Sequence, residues 1–257
     1  MNKTALITGA SRGLGMEFAR IYAKHGYDLV ITARTSAELT RLKQELEETC
    51  HVRVTVLVKD LAKPDAALEI FDFCQENGIA VDVLVNNAGF GDYGKFIEAK
   101  WQKQADMVQV NIVTVMQLTY CFAPEMVKRH HGRIINLASV ASFSAGPKMS
   151  IYYASKAFVR SFSEAVAEEL KGTGVTVTAV CPGPTDTGFK KAAGLDYSKM
   201  FTIFKPANAK KVAEAGVRAS EKGRVLNYST LSVKLGNIGA KLVPRSISRK
   251  FAMKVNE

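Results

Sequence analysis

The chain has 257 residues, 47% of them hydrophobic, and a formal net charge of +11. This size and composition suit one large α/β domain, and we treat residues 1–257 as a single domain. The apolar runs are shorter than the roughly 18 residues that a membrane span needs. The N-terminal residues lack the pattern of a secretory signal. We therefore expect a cytoplasmic protein.

The cysteines and histidines show no spacing typical of a metal or redox site. Cys50, Cys74, Cys121 and Cys181 are far apart in the sequence, so we expect reduced thiols and no metal. The charge is uneven: after position 223 there are seven basic residues and one acid. More than half of the positive excess therefore lies near the C-terminus.

Strand-like apolar runs alternate with helix-period segments along the chain. Predicted strands cover 4–8, 28–33, 52–58, 81–85, 133–138, 175–180 and 224–228, and predicted helices cover 13–25, 36–48, 64–77, 99–128, 151–171 and 206–222. Strands that are apolar on both faces indicate a parallel sheet covered by helices on both sides. We predict a three-layer, doubly wound α/β fold of about seven strands. Its ligands should bind at the carboxyl ends of the strands.

The first predicted strand runs into the segment TGASRGLG at residues 8–15. Its glycines suit a tight turn, a close approach to phosphate and close packing of helix on sheet, and the helix N-terminus offers N–H groups to a pyrophosphate. The alternative is a glycine-rich turn without a ligand. The residues that we assign to dinucleotide binding are Gly9, Ser11, Arg12, Gly13, Leu14 and Gly15.

The second predicted strand ends at Ala33-Arg34, where a carboxylate would be typical of a cofactor with a free ribose 2′-hydroxyl. Arg12 lies in the glycine loop. Because guanidinium groups bind phosphate bidentately, two arginines near the ribose favour a 2′-phosphate and hence NADP(H) over NAD(H). The alternative is that one or both arginines are merely solvated.

The third and fourth predicted strands are followed by Asp60-Leu61 and by NNAG at 86–89. Asp60 could accept a hydrogen bond from an adenine amino group, or it could cap the next helix. Asn87 could fix the backbone here, and Gly89, after Ala88, would let the chain pass close to a cofactor. The NNAG segment is by itself a weak signal for cofactor binding.

The fifth predicted strand ends near Ser139, and YYASK follows at 152–156. Lys156 lies four residues after Tyr152 and three after Tyr153, and both spacings bring side chains together on a helix. Spacing alone leaves both tyrosines open. A turn-rich segment, CPGPTDTG at 181–188, follows the sixth strand at the same sheet edge.

Together these segments resemble the short-chain dehydrogenase/reductase family over about residues 3–228. The resemblance rests on TGASRGLG, NNAG, Asn111, Ser139, the Tyr-x-x-x-Lys pair and PGPTDT. Only Tyr152 has the register of that pair, so the resemblance makes it the catalytic tyrosine. Lys156 would bind the nicotinamide ribose, and Tyr153 would be packing or pocket wall.

The resemblance implies further roles by matching position. Ser139 would bind the substrate oxygen, and Asn111 would hold a water near the lysine. Asp60 would reach adenine, and Arg12 and Arg34 match the basic positions of NADP(H)-preferring members. The residues expected around the nicotinamide are Pro182, Gly183 and Thr187. Cys181 departs from the asparagine that is common before the Pro-Gly pair.

These roles predict an oxidoreductase that transfers a hydride between NADP(H) and a carbonyl or secondary alcohol. A free tyrosine has a pKa near 10, and an ammonium within about 4–6 Å lowers it. We expect Lys156 to do this for Tyr152, which then protonates the substrate oxygen during reduction. The alternative is a cofactor-binding redox sensor or scaffold without turnover, which has no physical need for Ser139, Tyr152 and Lys156 together.

The substrate side is less defined. We predict a lid over 188–205, which is rich in apolar side chains, and a pocket wall of Phe90, Phe143, Met149 and Phe189. An apolar or lipid-like ketone would suit this wall, or these side chains could form the core of the lid itself. The pattern is most similar to the branch with 3-ketoacyl reductases and 17β-hydroxysteroid-type enzymes.

The C-terminal segment 229–257 is basic, and Leu231, Leu235, Ile238 and Leu242 fall at helical spacing. Such a helix could cover the sheet edge, pack on a second subunit, or lie weakly on an anionic membrane surface. No nucleic-acid motif is present, so we expect no nucleic-acid partner. The family resemblance implies a homodimer or homotetramer.

Overall fold

The computed structural model describes residues 2–195, 206–228 and 243–256. Seven strands form one parallel sheet in the order β3-β2-β1-β4-β5-β6-β9. They are β1 Thr4–Thr8, β2 Asp28–Ala33, β3 Val54–Val58, β4 Val81–Asn86, β5 Gly132–Leu137, β6 Val175–Cys181 and β9 Leu226–Tyr228. Two short strands, β7 Thr185–Asp186 and β8 Ala207–Asn208, pair with each other.

The helices are α1 Gly13–Lys24, α2 Ser36–Cys50, α3 Ala66–Glu76, α4 Trp101–Val108, α5 Thr114–Lys128, α6 Ser150–Glu169, α7 Phe189–Ala192, α8 Ala209–Glu221 and α9 Arg245–Asn256. Successive strand residues point to opposite faces of the sheet. Ile7 and Val85 pack in the core beneath α1, α2 and α8, whereas Leu6 and Leu84 pack beneath α3 and α5. The predicted three-layer, doubly wound fold is confirmed.

A buried polar chain ties α6 to the sheet. Asn86 donates to the Oδ1 of Asn136 at 2.8 Å, and Asn136 donates to the Oγ of Ser163 at 2.9 Å. All three side chains are buried, so breaking one bond would leave a polar group without water. Because α6 carries the Tyr-x-x-x-Lys pair, these hydrogen bonds position that pair against the sheet.

The helix predicted over 99–128 is interrupted. A π-helical turn at Gln109–Val113 separates α4 from α5, and Asn111 lies in this turn. The Asn111 side chain holds Phe90 and Ser155 through hydrogen bonds. A π turn inside a helix often marks a functional position, and periodicity alone does not reveal it.

The C-terminal prediction is only partly covered. The helix expected from Leu231 to Leu242 lies outside the described residues, as does the predicted lid beyond residue 195. The chain instead shows α9, which starts directly after Pro244 and which the hydrophobic pattern did not predict. None of the helices in the described part of the chain is apolar over enough residues to span a bilayer.

The tight crossing of α1 over the sheet gives a stability prediction. A Cβ at Gly15 would lie 2.2 Å from the carbonyl oxygen of Gly9, which is backbone and cannot yield, whereas one at Gly216 would meet the side chains of Val180 and Phe18 at 3.1 Å or more. We expect Gly15→Ala to lower the free energy of unfolding by about 2–3 kcal/mol and Gly216→Ala by less than about 1 kcal/mol. Urea denaturation of both variants measures this, and equal losses would contradict it.

Candidate active site

A cleft of about 580 Å³ opens at the carboxyl ends of β1, β2, β4, β5 and β6. Most of the residues predicted from the sequence line it. These are Gly9, Ser11, Arg12, Gly13, Leu14, Arg34, Asp60, Leu61, Asn87, Ala88, Gly89, Phe90, Ser139, Met149, Tyr152, Lys156, Pro182, Gly183, Thr187 and Phe189. Gly15, Asn111 and Phe143 are not in its wall.

One hydroxyl joins the glycine loop to the end of β4. The Oγ1 of Thr8 accepts hydrogen bonds from the backbone N–H groups of Asn87 and Ala88, each at 3.0 Å. In return, the side-chain amide of Asn87 donates to the carbonyl oxygens of Thr8 and Gly9 at 2.8 and 3.1 Å. These bonds leave Asn87 as a brace for the loop, which agrees with its predicted backbone role.

The loop geometry fits a pyrophosphate. Gly9 and Gly13 have φ values of +66° and +58°, a region that favours glycine. Arg12 precedes α1 in extended backbone, and no side chain of the described residues caps the helix there. Free N–H groups at a helix N-terminus attract anions. The residues present therefore fit a dinucleotide lying across this loop.

The end of the cleft beside Arg12 and Arg34, here called the ribose end, carries charges of both signs. Arg12 and Arg34 are both exposed and line the cleft, as the sequence suggested. Glu38, on the first turn of α2, lines the same end, and no motif had pointed to it. At the neighbouring strand, Asp60 accepts from the backbone N–H of Ala62 at 3.1 Å. Asp60 therefore stabilises the turn at Ala62 through this hydrogen bond and also lines the cleft.

Ser139, Tyr152 and Lys156 meet at the other end of the cleft. Ser139 follows β5, where its Oγ accepts from the N–H of Ala141 at 3.1 Å, and its side chain hydrogen-bonds Tyr152. Lys156 donates from Nζ to the carbonyl oxygen of Leu137 at 2.7 Å. This ammonium lies 5.9 Å from the centre of the Tyr152 ring. The three side chains converge as the Tyr-x-x-x-Lys register requires.

The structure does not show the expected lowering of the Tyr152 pKa by Lys156. Burial raises the pKa of Tyr152 to about 12, and the hydrogen bond from Ser139 only partly opposes this effect. Burial also lowers the pKa of Lys156 to about 8. Both shifts have one cause, since a buried site penalises whichever form is charged. Tyr152 is therefore protonated at neutral pH and suited to donate a proton.

Asn111 lies behind the cleft wall and is fully buried. Its Oδ1 accepts from the N–H of Phe90 at 3.1 Å, and its Nδ2 donates to the Phe90 carbonyl at 3.0 Å and to Ser155 Oγ at 3.1 Å. A Cβ at Gly89 would lie 3.0 Å from the Asn111 Oδ1 and 3.3 Å from Lys156 Nζ. These contacts make Asn111 a brace that holds the loop after β4 beside the lysine. Its predicted role in holding a water stays a prediction.

An apolar group of side chains forms the wall next to Tyr152. The Phe189 ring lies 5.2 Å from the Tyr152 ring, and Met149 is 2% exposed. Both side chains face Gly91, where a Cβ would lie 2.9 Å from Phe189 and 3.1 Å from Met149. Ala193 and Leu195 of the predicted lid belong to this cluster, and so does Tyr93, which sequence reasoning missed.

Phe143 corrects the predicted pocket wall. It ends the short 3-10 turn Val140–Phe143 and is not part of the cleft wall. Its ring stacks on Tyr228 with the centres 5.7 Å apart, and the guanidinium of Arg160 lies 4.6 Å from the ring centre. Phe143 therefore packs between α6 and β9. Residue type and proximity to Ser139 in sequence were not enough to place it.

Comparison with known proteins agrees with this geometry. A family model described as short chain dehydrogenase matches residues 3–198. Ketoacyl reductase HetN of Nostoc sp. is 33% identical over 224 residues, which cover 84% of this chain and 75% of that protein.

Two solved structures bear on the cofactor. A short-chain dehydrogenase from Sphingobium yanoikuyae in complex with NADPH has a TM-score of 0.84 at 30% identity, over 93% of this chain and 94% of that one. A short chain dehydrogenase/reductase from Burkholderia phymatum in complex with NAD has a TM-score of 0.81 at 26% identity, over 92% of each chain. The family match, the fold and the Ser139, Tyr152 and Lys156 site agree. The chain belongs to the short-chain dehydrogenase/reductase family of oxidoreductases, which use a nicotinamide cofactor.

Proposed function

We propose that the protein is an NADP(H)-dependent reductase of an apolar ketone or 3-oxoacyl-type substrate, with Tyr152 as the proton donor. The observation that carries the proposal is the convergence of Ser139, Tyr152 and Lys156 beside the apolar wall of Met149 and Phe189. A carbonyl group placed there would have its oxygen near two hydroxyl groups and its carbon chain among apolar side chains. The likeness to a ketoacyl reductase supports this substrate class.

The chemistry divides between cofactor and protein. When bound, NADPH supplies the hydride that reduces the carbonyl carbon. Tyr152 then gives its proton to the developing alkoxide, which is a much stronger base than a phenolate. Ser139 donates a hydrogen bond to the same oxygen and stabilises its charge. The raised pKa keeps Tyr152 protonated at neutral pH. A protonated tyrosine suits reduction better than oxidation, because reduction needs a proton donor.

Lys156 acts mainly through position and charge. Its bond to the Leu137 carbonyl holds it at the end of β5, near Gly89 and Asn111, where we propose that it meets the nicotinamide ribose. Burial makes its charged form costly, and a protein that only binds cofactor has no need for Ser139 and Tyr152 beside this lysine. This argument favours an enzyme over a redox sensor or scaffold.

The preference for NADP(H) rests on charge at the ribose end. Arg12 and Arg34 are exposed there and free of the ion pairs seen elsewhere among the described residues. Two permanent cations suit a dianionic 2′-phosphate. Glu38 lines the same end and would repel this phosphate, but one carboxylate does not outweigh two guanidinium groups.

Replacing the phenol hydroxyl tests the proton donor. We expect Tyr152→Phe to lower kcat/KM for ketone reduction by about 10²–10⁴-fold, because the variant keeps the ring and loses the proton. NADPH absorbance with a panel of ketones and 3-oxoacyl thioesters measures the rate. Tyr120→Phe is the control, since Tyr120 is 81% exposed and is not part of the cleft wall. An unchanged rate in Tyr152→Phe would refute the assignment.

Removing one cation at a time tests the cofactor preference. We expect Arg12→Ala and Arg34→Ala each to raise the KM for NADPH by about 10–100-fold, because each loses a charge-assisted hydrogen bond. The KM for NADH should change less than about threefold by the same argument. Arg41→Ala, an exposed arginine on α2, is the matched control. Equal effects on both cofactors would count against a 2′-phosphate site.

The pH dependence of reduction follows from Lys156. Its pKa of about 8 means that the ammonium is charged at neutral pH and is lost as the pH rises through about 8, while Tyr152, with a pKa of about 12, stays protonated. Because kcat/KM reports groups of the free enzyme, it should fall above this pH. In Lys156→Arg the charge persists, so we expect a lower but flat profile. The same fall in Lys156→Arg would show that another group titrates.

A further inference from the structure

One side of the C-terminal end of α9 is buried although most of the helix is exposed. Ile247 and Phe251 are 57% and 61% exposed, whereas Ala252 and Val255 are each 7% exposed and Asn256 is 0% exposed. A polar side chain without access to water needs hydrogen-bond partners inside the protein. Those of Asn256 show what the helix end is attached to.

Asn256 bridges two points of the segment that leads into α6. Its Nδ2 donates to the carbonyl oxygen of Pro147 at 2.8 Å, and its Oδ1 accepts from the hydroxyl of Tyr153 at 3.4 Å. The two contacts join residues more than a hundred positions apart in the chain. Both hold the segment 146–153, which carries the cleft wall.

Segment 146–153 comprises the tight turn before α6 and the first turn of that helix, and its side chains pack on one another. The Tyr153 ring packs on Gly146, where a Cβ would lie 2.2 Å from ring atoms. Lys148 has a φ of +67°, and the N–H of Met149 donates to the carbonyl of Gly146 at 3.1 Å. Tyr153 and Met149 both line the cleft. Moving the turn would therefore move the substrate wall.

The turn is anchored on two sides. The carbonyl of Lys148 accepts from the N–H of Gly94 at 2.9 Å, which ties the turn to the loop after β4. Asn256 supplies the second anchor. The catalytic groups have other supports. Lys156 is held by Leu137 and Ser139 by its own turn, while the carbonyl of Tyr152 accepts from the Oγ of Ser155 at 2.7 Å within α6. Losing Asn256 should thus affect the wall more than the reacting groups.

We infer that α9 is part of the substrate site and that Asn256 is a positioning residue that sets selectivity between ketones. By holding Tyr153 and Met149 against the cleft, it keeps the pocket narrow and apolar next to Tyr152. This inference rests on the proposed reductase function. It assigns the end of the basic C-terminal segment to the site of its own chain.

The first test is a split between kcat and KM. We expect Asn256→Ala to raise the KM for a small acyclic ketone by about 3–10-fold, the worth of the lost hydrogen bonds. For a bulky cyclic ketone, which fills the widened pocket, the KM should change less than about twofold by the same reasoning. The kcat values and the KM for NADPH should stay within about twofold, since uniform substrate binding alone is lost.

Two further variants separate the hydrogen bonds from packing and from the helix surface. Asn256→Asp keeps the shape and the acceptor oxygen but removes the donor to Pro147, so it should show the same change in KM. Lys250→Ala, on the exposed face of α9, should match the wild type. A thermal melt of each variant shows whether the fold is intact.

Hydrogen exchange measured by mass spectrometry gives a readout that needs no substrate. Peptides spanning 146–153 should exchange faster in Asn256→Ala than in the wild type, while peptides spanning the glycine loop should not change. In an active enzyme, an unchanged KM ratio would overturn the inference, whatever the exchange rate of this segment. A parallel loss of kcat for all ketones would also overturn it, because that pattern means general damage.

The two proposals fail in different ways. If the wild-type protein reduces no ketone, the proposed function is wrong, and the selectivity role of Asn256 falls with it. The exchange measurement then still shows whether Asn256 holds the turn. If the wild type is active and the variants keep its KM ratio, only the inference about α9 is wrong.

Discussion

The cleft depends on the position of β1 between β2 and β4. In a parallel sheet all carboxyl ends lie at one edge, and the chain reverses its direction of winding at β1. Here the hydroxyl of Thr8 accepts hydrogen bonds from two backbone N–H groups just after β4. This junction fixes the glycine loop against Asn87, and the close approach leaves no room for a Cβ at Gly15. The phosphate end of the cleft is built on this contact.

Burial governs the chemistry at the other end. Tyr152 is half-buried in the cleft wall and Lys156 is buried, and desolvation shifts each toward its neutral form. For the tyrosine, the neutral form is the proton donor, which favours reduction. The neutral form of the lysine carries no charge, so the rate of reduction should depend on pH. The same desolvation therefore strengthens one catalytic group and limits the other.

The C-terminal segment brings a distant part of the chain to this end of the cleft. Asn256 reaches the turn before α6, while the outer face of α9 keeps Ile247 and Phe251 exposed beside lysines. The predicted oligomer and the predicted weak membrane contact remain predictions, and that outer face is where either partner could be sought. The inner face already has its own role in the proposed site.

The sequence by itself determined most of the local structure. Short apolar runs placed the seven strands, and period-3.6 patterns placed most helices. The glycine loop and the Tyr-x-x-x-Lys register indicated the family and Tyr152. All these signals depend on neighbours within a few residues. Only the tertiary structure decided the rest. The direction of Phe143, the break at Asn111, the two pKa shifts and the docking of Asn256 all arise from groups far apart in the chain. Burial and long-range hydrogen bonds exist only once the fold has brought those groups together.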